Sequence, residues 1–107
     1  EELKENAILM KVSGYMDGMT SEEKPFYDRL IECVSKGNYV IIDLANASCF
    51  NDMAPAFILK IDQSAQGKGG IKLVVEKPGV RELLMMFMGS FPLYESIENA
   101  LESINDF

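Results

Sequence analysis

The chain has 107 residues, 48% of them hydrophobic, with 17 acidic against 10 basic side chains and a formal net charge of −7. That length suits one domain around one core, and the acidic balance opposes binding to nucleic-acid phosphates, with no basic cluster to offset it. Histidine is absent, which removes the commonest general base and metal ligand, and charges or glycines cut every apolar stretch well short of a membrane span.

Glu1-Glu2-Leu3-Lys4-Glu5 lacks the basic-then-apolar pattern of a secretory signal and points to a cytoplasmic protein. Leu3 reads as part of an edge strand, with Glu5-Asn6 as its turn. Ala7 to Val12 is an apolar run broken by Lys11, which predicts a strand ended by Ser13-Gly14. Gly14 allows a tight backbone conformation there, and Asp17 can hydrogen-bond a turn. Thr20 or Ser21 caps a first helix with Glu22 and Glu23 in its first turn. Phe26, Leu30, Cys33 and Val34 recur at helical spacing and face the core, Ile31 widens that stripe, and Gly37-Asn38 supplies the stop.

Tyr39 to Leu44 reads as a strand buried on both faces, with Asp43 at its end. A loop follows and finishes in Asn51-Asp52. Asp52 is placed to cap a helix predicted over Met53 to Gln66, where its carboxylate accepts from orphan N–H groups and meets the positive end of the dipole. Pro55 falls in the first turn, where a missing N–H costs little. Phe57, Ile58, Ile61 and Ala65 share one side of this helix. Gly67-Lys68-Gly69-Gly70 ends it, and Ile71 to Val75 forms the next strand. Cys33 and Cys49 stand outside any Cys-x-x-Cys pair, so two thiols in or near the core are expected rather than a disulfide.

Pro78 suits the first position of a third helix, with Val80, Leu83, Leu84 and Phe87 inward and Met88-Gly89-Ser90 closing it. Phe91 to Tyr94 reads as a short strand that Pro92 confines to an edge or a strand end. Ser96 opens a last helix to about Ile104, with Ile97, Ala100, Leu101 and Ile104 inward. Alternating strands and helices give an α/β domain, one sheet with helices packed on it. The Val40 and Ile71 strands, joined through a helix, should run parallel with a right-handed crossover.

No catalytic constellation is visible. Asp43 at a strand end would suit a phosphate receiver only with a further acidic pair after the first strand, and Ala7 to Gly14 has none. Lys60, Asp62 and Lys72 are expected to be solvated charges. No nucleophile–base pair or zinc cluster is present, so no catalytic residue, metal or cofactor is assigned. Gly67-Lys68-Gly69-Gly70 follows a helix and precedes a strand, the reverse of a phosphate loop. Seven methionines is a high number for this length. With Leu83, Leu84 and Phe87 filling the inward stripe of the third helix, Met85 and Met88 are left partly outward, as an adaptable apolar surface for a protein partner.

The run Val40-Ile41-Ile42-Asp43-Leu44, then Phe50-Asn51-Asp52-Met53-Ala54-Pro55-Ala56-Phe57-Ile58-Leu59, then Gly69-Gly70 with Ile71-Lys72-Leu73-Val74-Val75, resembles the STAS domain of bacterial anti-sigma factor antagonists. Gly14-Tyr15-Met16-Asp17 matches the family's glycine, apolar residue and Asp. The resemblance covers nearly the whole chain and implies a single STAS domain over residues 1–107. Its fold is a mixed four- to five-stranded β-sheet with about four α-helices covering one main face.

The family's Asp-Ser-x-Gly box opens a helix, and a partner anti-sigma kinase phosphorylates its Ser. With Gly69-Gly70 in register, the family's Asp falls on Asn51, the phosphoacceptor Ser on Asp52 and the Gly on Ala54. A phosphoserine carries about −1.5 to −2 charges, so Asp52 is a weak, permanent imitation of the phosphorylated state. Ser48, the nearest hydroxyl, is read as ordering the loop rather than as a displaced acceptor. The implied function is an antagonist that binds an anti-sigma factor of the serine-kinase type and frees a sigma factor. It acts by binding alone, through Asn51, Asp52, Met53, Ala54, Pro55 and the Met85–Met88 surface. STAS domains also serve as subunits of membrane-transport complexes and of stress-signalling scaffolds, often without the box. That role, and a homodimer, stay open.

Overall fold

The structure is a computed structural model that describes residues 2–4, 6–16, 24–50, 53–65, 68–89 and 91–105; residues 2–4, 13–16, 48–50, 53, 54 and 105 are described by their backbone. In chain order the elements are β1 (Glu2–Lys4), β2 (Ala7–Met16), α1 (Lys24–Ser35), β3 (Tyr39–Phe50), α2 (Met53–Gln63), β4 (Gly70–Val74), α3 (Pro78–Met88), β5 (Leu93–Tyr94) and α4 (Ile97–Asn105). The strands stand side by side in that same order. β2 to β5 run parallel, and β1 returns antiparallel from the turn at Asn6. Parallel neighbours need long crossovers, and α1, α2 and α3 supply them in turn. The expected caps and acids at Asp17, Thr20, Ser21, Glu22 and Glu23 lie outside the described residues.

The sheet is apolar on both faces over its first half. Val40, Ile42 and Leu44 of β3 pack with Leu30, Cys33, Ile58, Leu73 and Leu84, the inward side chains of α1, α2, β4 and α3. Ile41 packs on the other side with Ala7, Leu9, Val74, Ala100 and Ile104. Three helices therefore cover one face and α4 covers the other, which corrects the single main face expected for all four. A parallel strand with consecutive apolar residues needs cover on both sides, and Ile41 and Val74 would otherwise face water. Cys33 is buried as a free thiol, as expected; the side chain of Cys49 is outside the described ones.

The two central strands run further than their residues suggest. Lys11 stands opposite Asp43 and Ser13 opposite Asn46, so β3 carries one more residue than β2 across that step. This is a bulge, and the Ala45 N–H donates to Asp43 Oδ1 at 3.0 Å within it. Asp43 is thus a structural acceptor. The extra residue shifts the phase of β3: Val40, Ile42 and Leu44 face the main core, and the next residue to do so is Ala47. Beyond the bulge β2 and β3 pair with each other to Met16 and Phe50, whereas β4 pairs with β3 only over Tyr39 to Asp43. The loop expected after Leu44 is therefore strand, and Gly14 lies inside a ladder opposite Ala47. Cross-strand pairing overrides the poor β-propensity of Gly, Asn and Ala there.

The inward faces expected for α2 and α4 are the ones observed, whereas α1 shows a change of phase. In α1 the core position belongs to Tyr27, 4% exposed, while Ile31 is 50% exposed. Its outer face carries exposed pairs, Lys24–Asp28 at 2.8 Å, Arg29–Glu32 at 3.1 Å and Lys36–Glu32 at 3.2 Å, each contributing little to stability. α2 ends at Gln63, short of Gln66, and the Ser64 hydroxyl donates to the Ile61 carbonyl in the turn that follows.

Asp62 at the end of α2 is not a solvated charge. Its Oδ1 accepts from the Ile71 N–H at 2.7 Å and ties the helix to the start of β4. Asp62→Ala leaves that buried donor without its acceptor, so stability should fall by about 1–3 kcal/mol. Asp62→Asn, which keeps an acceptor oxygen, should lose less. Urea titration of the three proteins checks both, and equal losses would show that the tie is not what matters.

Candidate functional site

The region of interest is the beginning of α2 with the exposed face of the neighbouring α3. β3 runs to Phe50 and α2 starts at Met53, so residues 51 and 52 join a core strand to a helix tip. Asn51 and Asp52 lie outside the described residues, and Ser48, Met53 and Ala54 are described by backbone. The approach to the tip is held from α3: Lys77 Nζ donates to the Ala47 carbonyl oxygen at 3.3 Å, a half-buried contact between the turn before α3 and the late part of β3. It covers β3 where β4 has already ended.

Pro55 is less than 2% exposed. That corrects its place among the expected partner contacts, because its ring is turned into the core and offers no surface. The exposed positions that follow on α2 are Ala56, Lys60 and Gln63. Phe57 is half-buried, its ring 5.6 Å from that of Tyr27, which meets Phe26 edge-on at 5.3 Å. The Tyr27 and Phe57 rings, with Ile31 and Ile61, line a groove of about 370 Å³ between α1 and α2, and Lys60 stands on its rim. Sequence reasoning missed this groove. Its signal was present in Ile31, one apolar residue more than a core stripe needs.

The methionine surface is real but differently composed. Met85 is 54% exposed, Met86 76% and Phe87 41%. Met88 is 6% exposed and packs in the main core with Val80 and Leu84, a correction to its expected outward position. The inward stripe of α3 follows the i, i+4 row through Val80, Leu84 and Met88. At about 100° per residue that row drifts away from Phe87 as the helix proceeds, so Phe87 comes to the edge and Met88 takes its place. Gly89, with φ +60, then ends the helix, its N–H donating to the Met85 carbonyl. The proposed contacts are thereby reduced to Met85, joined by Met86 and Phe87, and whatever the helix tip presents.

Lys72, expected to be solvated, lies 5.6 Å over both the Tyr39 and Tyr94 rings with its Nζ 3.5 Å from the Tyr94 hydroxyl. It is a cation held between two aromatic faces. A depression of about 550 Å³ at the ends of β4 and β5 is bordered by Glu76, Arg81 and Glu95, charges of both signs that single out no ligand class. Among the described residues no three His, Cys, Asp or Glu side chains are grouped to hold a metal ion, and no helix is long and apolar enough to cross a membrane.

No protein-family model and no curated protein matches the chain. Solved structures do. One is the anti-sigma factor antagonist SpoIIAA in its unphosphorylated form, with a TM-score of 0.74 at 13% identity over 100% of this chain and 96% of the other. Another is an anti-sigma factor antagonist from Mycobacterium paratuberculosis, with a TM-score of 0.78 at 19% identity over 98% of this chain and 91% of the other. The whole chain thus has the α/β fold of these two antagonists.

Proposed function

We propose that this chain is a cytoplasmic anti-sigma factor antagonist that binds an anti-sigma factor of the serine-kinase type and so releases a sigma factor. The observation that carries this reading is the end-to-end likeness of fold to two such antagonists, one of them named for its unphosphorylated form. Two features of the chain support it. The helix tip that would carry a switchable serine carries Asp52 in the sequence, and the neighbouring helix exposes Met85, Met86 and Phe87. The protein acts by binding; nucleotide and phosphoryl transfer belong to the partner.

On this reading Asp52 supplies part of a phosphoserine's charge at a helix tip, and a carboxylate in the capping position there would be worth about 0.5–2 kcal/mol. Asp52→Ser keeps a capping oxygen and removes the charge. Affinity for the cognate anti-sigma factor should rise at least about tenfold, stability should change little, and the variant should accept phosphate from the kinase while the parent accepts none at the tip. Asp52→Ala should gain affinity and lose the cap. Titration calorimetry, with phosphate mapped by mass spectrometry, decides it. Weaker binding by Asp52→Ser would make the carboxylate an attractive contact, and stoichiometric phosphate on Ser48 would identify a different acceptor.

A further inference from the structure

We propose that Met85 and Met86 form an oxidation site, at which a hydroperoxide converts two exposed thioethers to sulfoxides and switches the end of α3 from apolar to polar. The regulatory half of this inference rests on the reading of α3 as a partner surface. The four methionine side chains that are described sort cleanly. Met86 is 76% exposed, Met85 54%, Met10 is half-buried and Met88 is 6% exposed. Thioether oxidation follows access of the oxidant to sulfur. Met88 lies on the same helix two residues beyond Met86, so it has nearly the same sequence surroundings and differs mainly in burial.

The step balances without a cofactor. A sulfur lone pair attacks one peroxide oxygen and the O–O bond breaks. The S–O bond forms, and the departing oxygen takes the proton from the transferred one and leaves as an alcohol, or as water when the oxidant is hydrogen peroxide. Sulfur loses two electrons and the peroxide gains them. The product is a polar, chiral side chain with a strong acceptor oxygen.

The consequence depends on where that oxygen sits. On the free chain both sulfoxides are hydrated, because both side chains already face water, so the fold is kept. Against a partner the oxygen gives up its water, and an acceptor buried without a donor opposes the contact. Phe87, 41% exposed beside them, extends the same patch and cannot be oxidised in this way. Oxidation therefore weakens docking without unfolding the domain, and methionine sulfoxide reductases reverse it.

The experiment is graded hydrogen peroxide treatment of the intact chain, with sulfoxides mapped by mass spectrometry and the melting temperature followed. Met85 and Met86 should convert at least about tenfold faster than Met88, with the melting temperature unchanged when both have reacted. Binding to the cognate anti-sigma factor should then weaken at least about tenfold and recover on reductase treatment. The double variant Met85→Leu/Met86→Leu changes two contact side chains, so its untreated affinity is its own reference; no longer oxidisable there, it should keep that affinity through the same dose. Equal conversion of Met88 and Met86, a melting temperature that falls with conversion, or undiminished binding by the oxidised parent overturns the proposal. A chain that binds no anti-sigma factor before oxidation overturns the proposed function and the regulatory half with it, while the order of conversion still decides the site.

Discussion

Gly69→Ala should unfold at least about 12 °C below the parent. Gly69 has φ +86, a conformation that costs a residue with a Cβ about 1–2 kcal/mol. The space is also taken. A Cβ there would overlap the Asn38 carbonyl oxygen and stand 2.7 Å from both the Asn38 carbonyl carbon and the Gly37 oxygen. All three are backbone atoms, so the clash cannot be relieved by turning a side chain. The contact joins the turn that ends α1 to the turn that begins β4, and the Gly70 N–H donates to the same Asn38 carbonyl at 3.3 Å. Tyr39 and Gly70 then stand opposite each other as the first β3–β4 pair, so a displaced Gly69 disturbs the start of the ladder. Strain and overlap together should cost at least about 3 kcal/mol, and about 4–8 °C per kcal/mol follows for a domain of this size. Gly79→Ala is the control: a Cβ there meets nothing within 4 Å, and in the first turn of α3 it should leave stability unchanged or raise it by up to about 1 kcal/mol. A Gly69→Ala protein that melts within about 3 °C of the parent would refute the close approach.

The second large effect separates two methionines three residues apart. Met88→Gln places an amide in the main core among Val80 and Leu84. It should lower stability by about 2–4 kcal/mol through lost packing and an unpaired polar group. Met85→Gln changes a side chain that is 54% exposed and should cost less than about 0.5 kcal/mol, while weakening partner binding if the α3 surface is the contact. Denaturant midpoints at unchanged slope measure the first, and calorimetry against the anti-sigma factor the second. Equal losses of stability would mean that the row through Val80, Leu84 and Met88 is not the inward one.

Local chemistry determined much of this molecule. The position of Gly37 set the end of α1, Pro78 the start of α3, and Pro92 a short edge strand at Leu93–Tyr94. Periods of two and of 3.6 in the apolar residues gave the succession of strands and helices, and that succession requires a parallel sheet. The candidate site was legible only in part. Asp52 is read as a cap from its residue type and as the phosphoacceptor position through the family resemblance, and it lies outside the described residues; an outward methionine surface followed from an excess of apolar residues on one helix, and Met85 is exposed.

What the tertiary structure decided is phase and partnership. A stripe on α3 is equally apolar whether it closes with Phe87 or with Met88, and only the sheet beneath it selects the row that turns Met88 inward. β3 continues through Ala45-Asn46-Ala47 because β2 offers it a ladder from some thirty residues away, and the bulge at Asp43 moves Ala47 into the core. Pro55 reads as harmless in a first turn and proves buried. Asp62 and Lys72 read as solvated until Ile71 and two tyrosines are brought to them. Each of these depends on a backbone or ring supplied by a distant segment. Periodicity specifies which residues share a face, and long-range packing alone specifies what that face meets.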